Sequence, residues 1–168
     1  MLSVVRKSSF DLVNFNSNVA PKIKISGDVS RLNNQLKIKY ILTGELAEII
    51  IPQANKSCDR RYDLWEHTCF EFFVRSKNSK KYWEFNLSPS GNWNVFYFLD
   101  YRLNIAEEQA FKSFPFEITQ NPESLTVEAI VDLEKIDIGD RKLDLAITAV
   151  IEDKTEKLSY WALTHPAT

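Results

Sequence analysis

Tyr82-Trp83-Glu84-Phe85-Asn86-Leu87-Ser88 alternates without a break. Trp83, Phe85 and Leu87 fall on one side of the chain, and Tyr82, Glu84, Asn86 and Ser88 on the other. A side-chain period of two belongs to a strand with one face buried. Downstream, Pro89-Ser90-Gly91-Asn92 supplies one restricted and one permissive backbone position, which predicts a hairpin turn into a strand over 93–101. Upstream, 69–76 predicts an apolar strand that can pair with 82–88. The same rule recurs at Leu36, Ile38, Tyr40 and Leu42, at Leu125, Val127, Ala129 and Val131, and at Leu145, Ile147, Ala149 and Ile151.

Further strands are expected near 8–15, 22–26, 46–51, 115–120 and 158–163. Turn signals punctuate them, among them Asn33-Asn34, Thr43-Gly44 and Asn121-Pro122. β-branched and aromatic residues dominate every apolar run, so helices are excluded as the architecture. About ten short strands joined by short turns predict an all-β antiparallel sandwich. At most one short helix is expected, over Ile105 to Phe111.

A chain of 168 residues and 19.5 kDa is the size of one domain, and no repeat, low-complexity tract or Pro/Gly linker divides it. A single domain over 1–168 is expected. The chain is 44% hydrophobic, enough for a core, and its formal charge of -2 argues against a nucleic-acid or anionic-membrane binder. No apolar run is long enough to span a bilayer, and MLSVVRKSSF lacks the apolar core of a secretory signal, which predicts a cytoplasmic protein. Two cysteines, Cys58 and Cys69, are too few for a disulfide-built domain, and their spacing matches no metal motif.

Chemistry concentrates where the polar, aromatic loop Arg60 to Thr68 runs into the strand Cys69 to Val74. Trp65 in that loop offers either a flat apolar face or a lid over the core edge. Strand phase puts Phe70, Phe72 and Val74 on one side and Glu71, Phe73 and Arg75 on the other. Paired with 82–88, this places Glu71 and Glu84 on one polar face with Asn86. Trp93, Tyr97 and Tyr101 join that face in one register of the next strand, and Asn94 and Asp100 in the other. Carboxylates, an amide and an aromatic platform hold hydroxyl-rich ligands; the same residues also fit a solvated outer face with cross-strand ion pairs.

Catalysis is not expected. Glu71 and Glu84 would serve a glycosidase only at separations of about 5 Å or about 6.5–9.5 Å, which the sequence does not fix. No nucleophile motif, phosphate-cradling loop or zinc pattern appears. The two histidines, His67 and His165, are conceivable axial ligands for haem b.

Leu64 to Val74, Tyr82 to Trp93, Asp100-Tyr101-Arg102, Ala149 to Glu152 and Ser159 to Pro166 together resemble, in order, small bacterial DOMON-like proteins of the type 9 carbohydrate-binding-module group. The resemblance runs from about residue 23 to the C-terminus. It implies a jelly-roll-like β-sandwich and a ligand that is a sugar or, in some relatives, a b-type haem. His67 and Thr68 stand where the sugar-binding members tend to carry acidic residues. The sequence therefore predicts a non-catalytic, cofactor-free module for a small ligand, a carbohydrate or polyol. Trp65 and Trp93 are expected to stack, Glu71 and Glu84 to accept hydroxyls, Asn86 to bond through its amide and Arg102 to donate. The alternatives are a haem-binding electron-transfer or sensor domain using His67 and His165, and a protein-interaction domain using an exposed sheet edge.

Overall fold

A computed structural model of the chain describes residues 6–15 and 21–163. Among them run twelve strands: β1 (Arg6–Asn14), β2 (Ile23–Leu32), β3 (Gln35–Gly44), β4 (Ile49–Ile50), β5 (Cys69–Ser76), β6 (Tyr82–Leu87), β7 (Trp93–Phe98), β8 (Ala106–Glu107), β9 (Glu117–Gln120), β10 (Ser124–Asp132), β11 (Leu143–Asp153) and β12 (Leu158–Leu163). All named pairings are antiparallel, in the order β8-β7-β6-β5-β11-β12-β1-β2-β3-β10-β9, with β4 on β11. The sheet curls at β1, whose first half pairs with β2 and whose last residues pair with β12, giving the two layers of a sandwich.

Alternation decides what lies between the layers. Leu36, Ile38, Tyr40 and Leu42 of β3 and Leu125, Val127, Ala129 and Val131 of β10 face inward from one layer. Phe70, Phe72 and Val74 of β5 and Trp83, Phe85 and Leu87 of β6 face inward from the other. Phe72 and Phe85 stack with centroids 4.6 Å apart. Tyr40 crosses the core and its hydroxyl donates to the Glu71 carbonyl at 2.6 Å, which ties the strand that carries Glu71 to the opposite layer. Gly27 of β2 is closely packed: a Cβ there would collide with the Lys39 carbonyl oxygen and the Phe10 ring.

The sandwich and the strand phase follow the sequence; two local expectations do not. Ile105 to Phe111 is no helix: it holds the short edge strand β8 and then crosses the core edge, where Phe111 and Phe114 bury. Residues 46–51 divide into a 3-10 turn, Leu46–Glu48, and the two-residue β4. The three helical elements among the described residues are 3-10 turns of three or four residues, and none is long and apolar enough to cross a membrane.

Candidate functional site

The face of β5, β6, β7 and β11 that turns away from the core carries the candidate residues. Register puts Glu71 opposite Asn86 and Thr148, and Glu84 opposite Phe73 and Phe96. Glu71, Glu84 and Asn86 therefore share one patch of sheet, as their phase predicts. The patch is not a solvated wall. Asn86 is fully buried, Glu71 is 8% exposed and Glu84 is half-buried.

Burial is what shapes the electrostatics. Glu71 is pushed from an ordinary 4.5 up to about 7, first by desolvation and then by the neighbouring Glu84, with the Thr148 hydroxyl, which donates to its Oε2 at 3.2 Å, opposing. Glu84 is also raised by desolvation, and the Asn86 amide beside it pulls it back down. Burial disfavours the charged form of both carboxyls, and the charge of Glu84 adds to the effect on Glu71. Asn86 lies between them, and neither its Nδ2 nor its Oδ1 completes a hydrogen bond of regular geometry. A buried amide with donor and acceptor both unmet is uncommon in a folded protein and costs free energy until something meets it.

An aromatic wall stands beside the carboxyls. Phe96, opposite Glu84, faces outward and is covered by the loop that leads into β5. Asp63 takes a left-handed backbone (φ 58), and the 3-10 turn Leu64–Glu66 follows, lowering the half-buried Trp65 onto the sheet. Trp65 and Phe96 meet edge-on at 6.0 Å, Tyr62 and Phe96 at 5.2 Å, and Tyr62 and Trp65 at 6.1 Å.

Trp93 is not part of this wall. Its ring points into the core, 2% exposed, with Phe114 at 5.9 Å and the Arg60 guanidinium 4.5 Å over its face. The reason is the hairpin turn: Ser88 N–H donates to the Asn92 carbonyl and Gly91 takes a φ of +93, so Leu87 pairs directly with Trp93 and both must face inward. The other register is realised, and Asn94, Phe96 and Phe98 are the outward residues of β7.

Beyond Glu84 the face opens into a groove of about 1100 Å³, lined among others by Phe73, Tyr82, Phe98, Tyr101 and Arg102. Arg102 lies in the exposed turn after β7, so it reaches the groove but not the buried amide. Sequence reasoning missed this groove and missed Arg60. The Arg60 guanidinium donates to Asn94 Oδ1 (2.8 Å) and to the carbonyls of Glu108 (2.9 Å) and Phe111 (2.6 Å). It staples the segment after β8 onto β7 through contacts far apart in the chain.

The haem pair is not assembled among the described residues. His165 lies outside them, and His67 sits at the far end of the face with Nδ1 2.8 Å from Glu152 Oε2. Its side chain is 63% exposed beside exposed Glu66. Cys69 is buried beside Glu71 and Cys58 is exposed; both are free thiols. The end strands of the curled sheet, β8 and β9, are two and four residues long and offer little ladder to an added strand.

No protein-family model and no curated protein matches the chain. Its fold is similar to that of a protein from Bacteroides uniformis ATCC 8492 described as a candidate carbohydrate-binding protein, with TM-score 0.63 and 14% identity over 97% of this chain and 81% of that one. It is also similar to a family 9 carbohydrate-binding module from Caldicellulosiruptor kristjanssonii, solved with cellotriose, with TM-score 0.49 and 10% identity over 87% and 67%. The first likeness is one of fold, a β-sandwich like that of carbohydrate-binding modules.

Proposed function

We propose that this chain is a non-catalytic binding module, one domain over 1–168, whose ligand is a carbohydrate or related polyol held on the outward face of β5, β6 and β11. One observation carries the reading: the fully buried Asn86 amide, which completes no hydrogen bond of regular geometry and leans on the Glu84 carboxyl, shares one face with Glu71 and Glu84. Two neighbouring hydroxyls of a sugar supply what it lacks, since each hydroxyl both donates and accepts. A carboxyl donates when protonated and accepts when ionised, so Glu71, raised to about 7, can serve a hydroxyl in either role. Trp65 supplies a flat apolar face for the C–H side of a ring. The resemblance to DOMON-like and type 9 proteins and the fold shared with the Bacteroides uniformis protein support the same class of ligand. Nucleic acid is not an expected partner, given the net charge of -2.

Calorimetric titration with a panel of mono- and oligosaccharides tests the proposal. At least one sugar is expected to bind with a Kd in the mM range or tighter. Silence across the panel for the wild-type protein counts against it.

A further inference from the structure

The far groove is chemically different from the patch around Asn86: its lining carries three cations and three carboxyls, but its ion pairs engage only two of the cations. Arg75 is paired with Asp144 at 3.0 Å, and Lys80 with Asp100 at 3.1 Å. Arg102 has no carboxylate partner among the described residues. The groups that hold the Asp100 carboxyl down are the Tyr101 N–H and Lys80, and the group that holds Glu84 down is Asn86; Arg102 is in neither set. The Arg102 guanidinium instead lies over the Tyr101 ring at 5.2 Å, and its backbone N–H donates to the Tyr82 hydroxyl at 3.3 Å. Tyr82 in turn stacks on Phe98 with centroids 4.5 Å apart and an interplanar angle of 6°. The groove thus presents aromatic rings with one exposed guanidinium on its rim that no ion pair engages among the described residues.

We propose that this end of the groove, formed by Tyr82, Phe98, Tyr101 and Arg102, is a second subsite that takes a carboxylate-bearing sugar, a uronate residue. It rests on the polyol reading above: the neighbouring ring of the same chain lies against Glu84 and Asn86. The aromatic floor receives the C–H face of the uronate ring. The guanidinium meets its carboxylate in the two-pronged geometry that makes arginine selective for planar anions. The ligand is therefore an acidic oligosaccharide of at least two rings, not a free neutral sugar.

The test compares uronate trisaccharides of the galacto and gluco series with their fully methyl-esterified counterparts, which lack the negative charge. Titrations are run at pH 7.5 in low salt with wild type, Arg102→Gln and Arg102→Lys, each checked for folding by circular dichroism. At least one acid is expected to bind about tenfold or more tightly than its ester, as loss of a charge-assisted bidentate contact implies. The preference is expected to vanish in Arg102→Gln and to return only in part in Arg102→Lys. Esters that bind as well as the acids, or acids whose preference survives Arg102→Gln, overturn the subsite. Neutral sugars that bind where no uronate does also overturn it and leave the polyol reading standing; silence from every sugar removes both.

Discussion

Glu71 and Glu84 stand diagonally across neighbouring strands, each one step from the cross-strand pair that includes the other's neighbour, and both face away from the core into a patch short of water. Glu71 pairs with Asn86 and Glu84 with Phe73, so the two acids occupy adjacent positions on one face. With Asn86 between them, they form a polar centre that the fold makes costly and leaves incomplete.

The raised Glu71 carboxyl makes stability depend on pH. Glu71 carries its proton up to about 7 in the folded chain, against about 4.5 when exposed. Between those values the unfolded chain binds fewer protons than the folded one, so stability falls as pH rises. It is highest below about pH 4.5 as far as this group is concerned, declines through the window, and levels off above pH 7. A shift of this size is worth about 3 kcal/mol. Glu71→Gln is expected to remove most of the decline, raising Tm at pH 8 but not at pH 4.5. Thermal unfolding across that range checks it; an unchanged slope in the variant contradicts it.

Asn86 separates binding from stability. Its amide completes no hydrogen bond of regular geometry, so replacement by alanine forfeits only its contact with the Glu84 carboxyl. Asn86→Ala is expected to change unfolding free energy by less than about 1 kcal/mol, because relief from an unsatisfied amide offsets the small cavity. Sugar affinity is expected to fall at least about tenfold. Urea unfolding and titration on the same preparation read both quantities.

The two tryptophans flanking the hairpin and the loop are expected to behave oppositely. Trp93→Ala empties core space against Phe114 and Arg60 and is expected to cost about 3–5 kcal/mol. Trp65→Ala removes a half-buried ring from the rim, so its principal effect is expected on ligand affinity. Equal stability losses in both variants would contradict this assignment of inner and outer faces.

Arg60 is expected to act as a structural clamp. Arg60→Gln loses bonds to Asn94, Glu108 and Phe111 together with the contact over Trp93. A cost of about 2–3 kcal/mol is expected, in the range for hydrogen bonds to charged groups. Limited proteolysis is expected to open first in the segment after β8, which this side chain holds.

How much of this could be read in the chain follows from the physics of strands. Trp83, Phe85 and Leu87 announce their face by period two, and Glu71 and Glu84 follow once their strands are neighbours, because phase is local. Phase alone does not place Trp93, because it does not carry across a turn: whether the ring faces in or out depends on how many residues Pro89 to Asn92 insert. Leu87 pairing with Trp93 settles that, and the pairing is a property of the folded hairpin. The stretch Ile105 to Phe111 resembles a helix only while Arg60 is out of view, since its conformation is fixed by bonds to a residue about fifty positions earlier. The groove at Arg102 escaped notice for a similar reason. Its walls come from β5, β6, β11 and the turn after β7, and no single segment shows it.

The most direct test of the central claim is an amide-resolved NMR titration of the wild-type protein with a binding sugar at pH 6. The account predicts that the largest shift changes fall on Glu71, Glu84, Asn86 and Thr148 and on the Asn86 side-chain amide, with Trp65 following. Changes confined to the layer of β2, β3 and β10, with the Asn86 side chain unmoved, would contradict it.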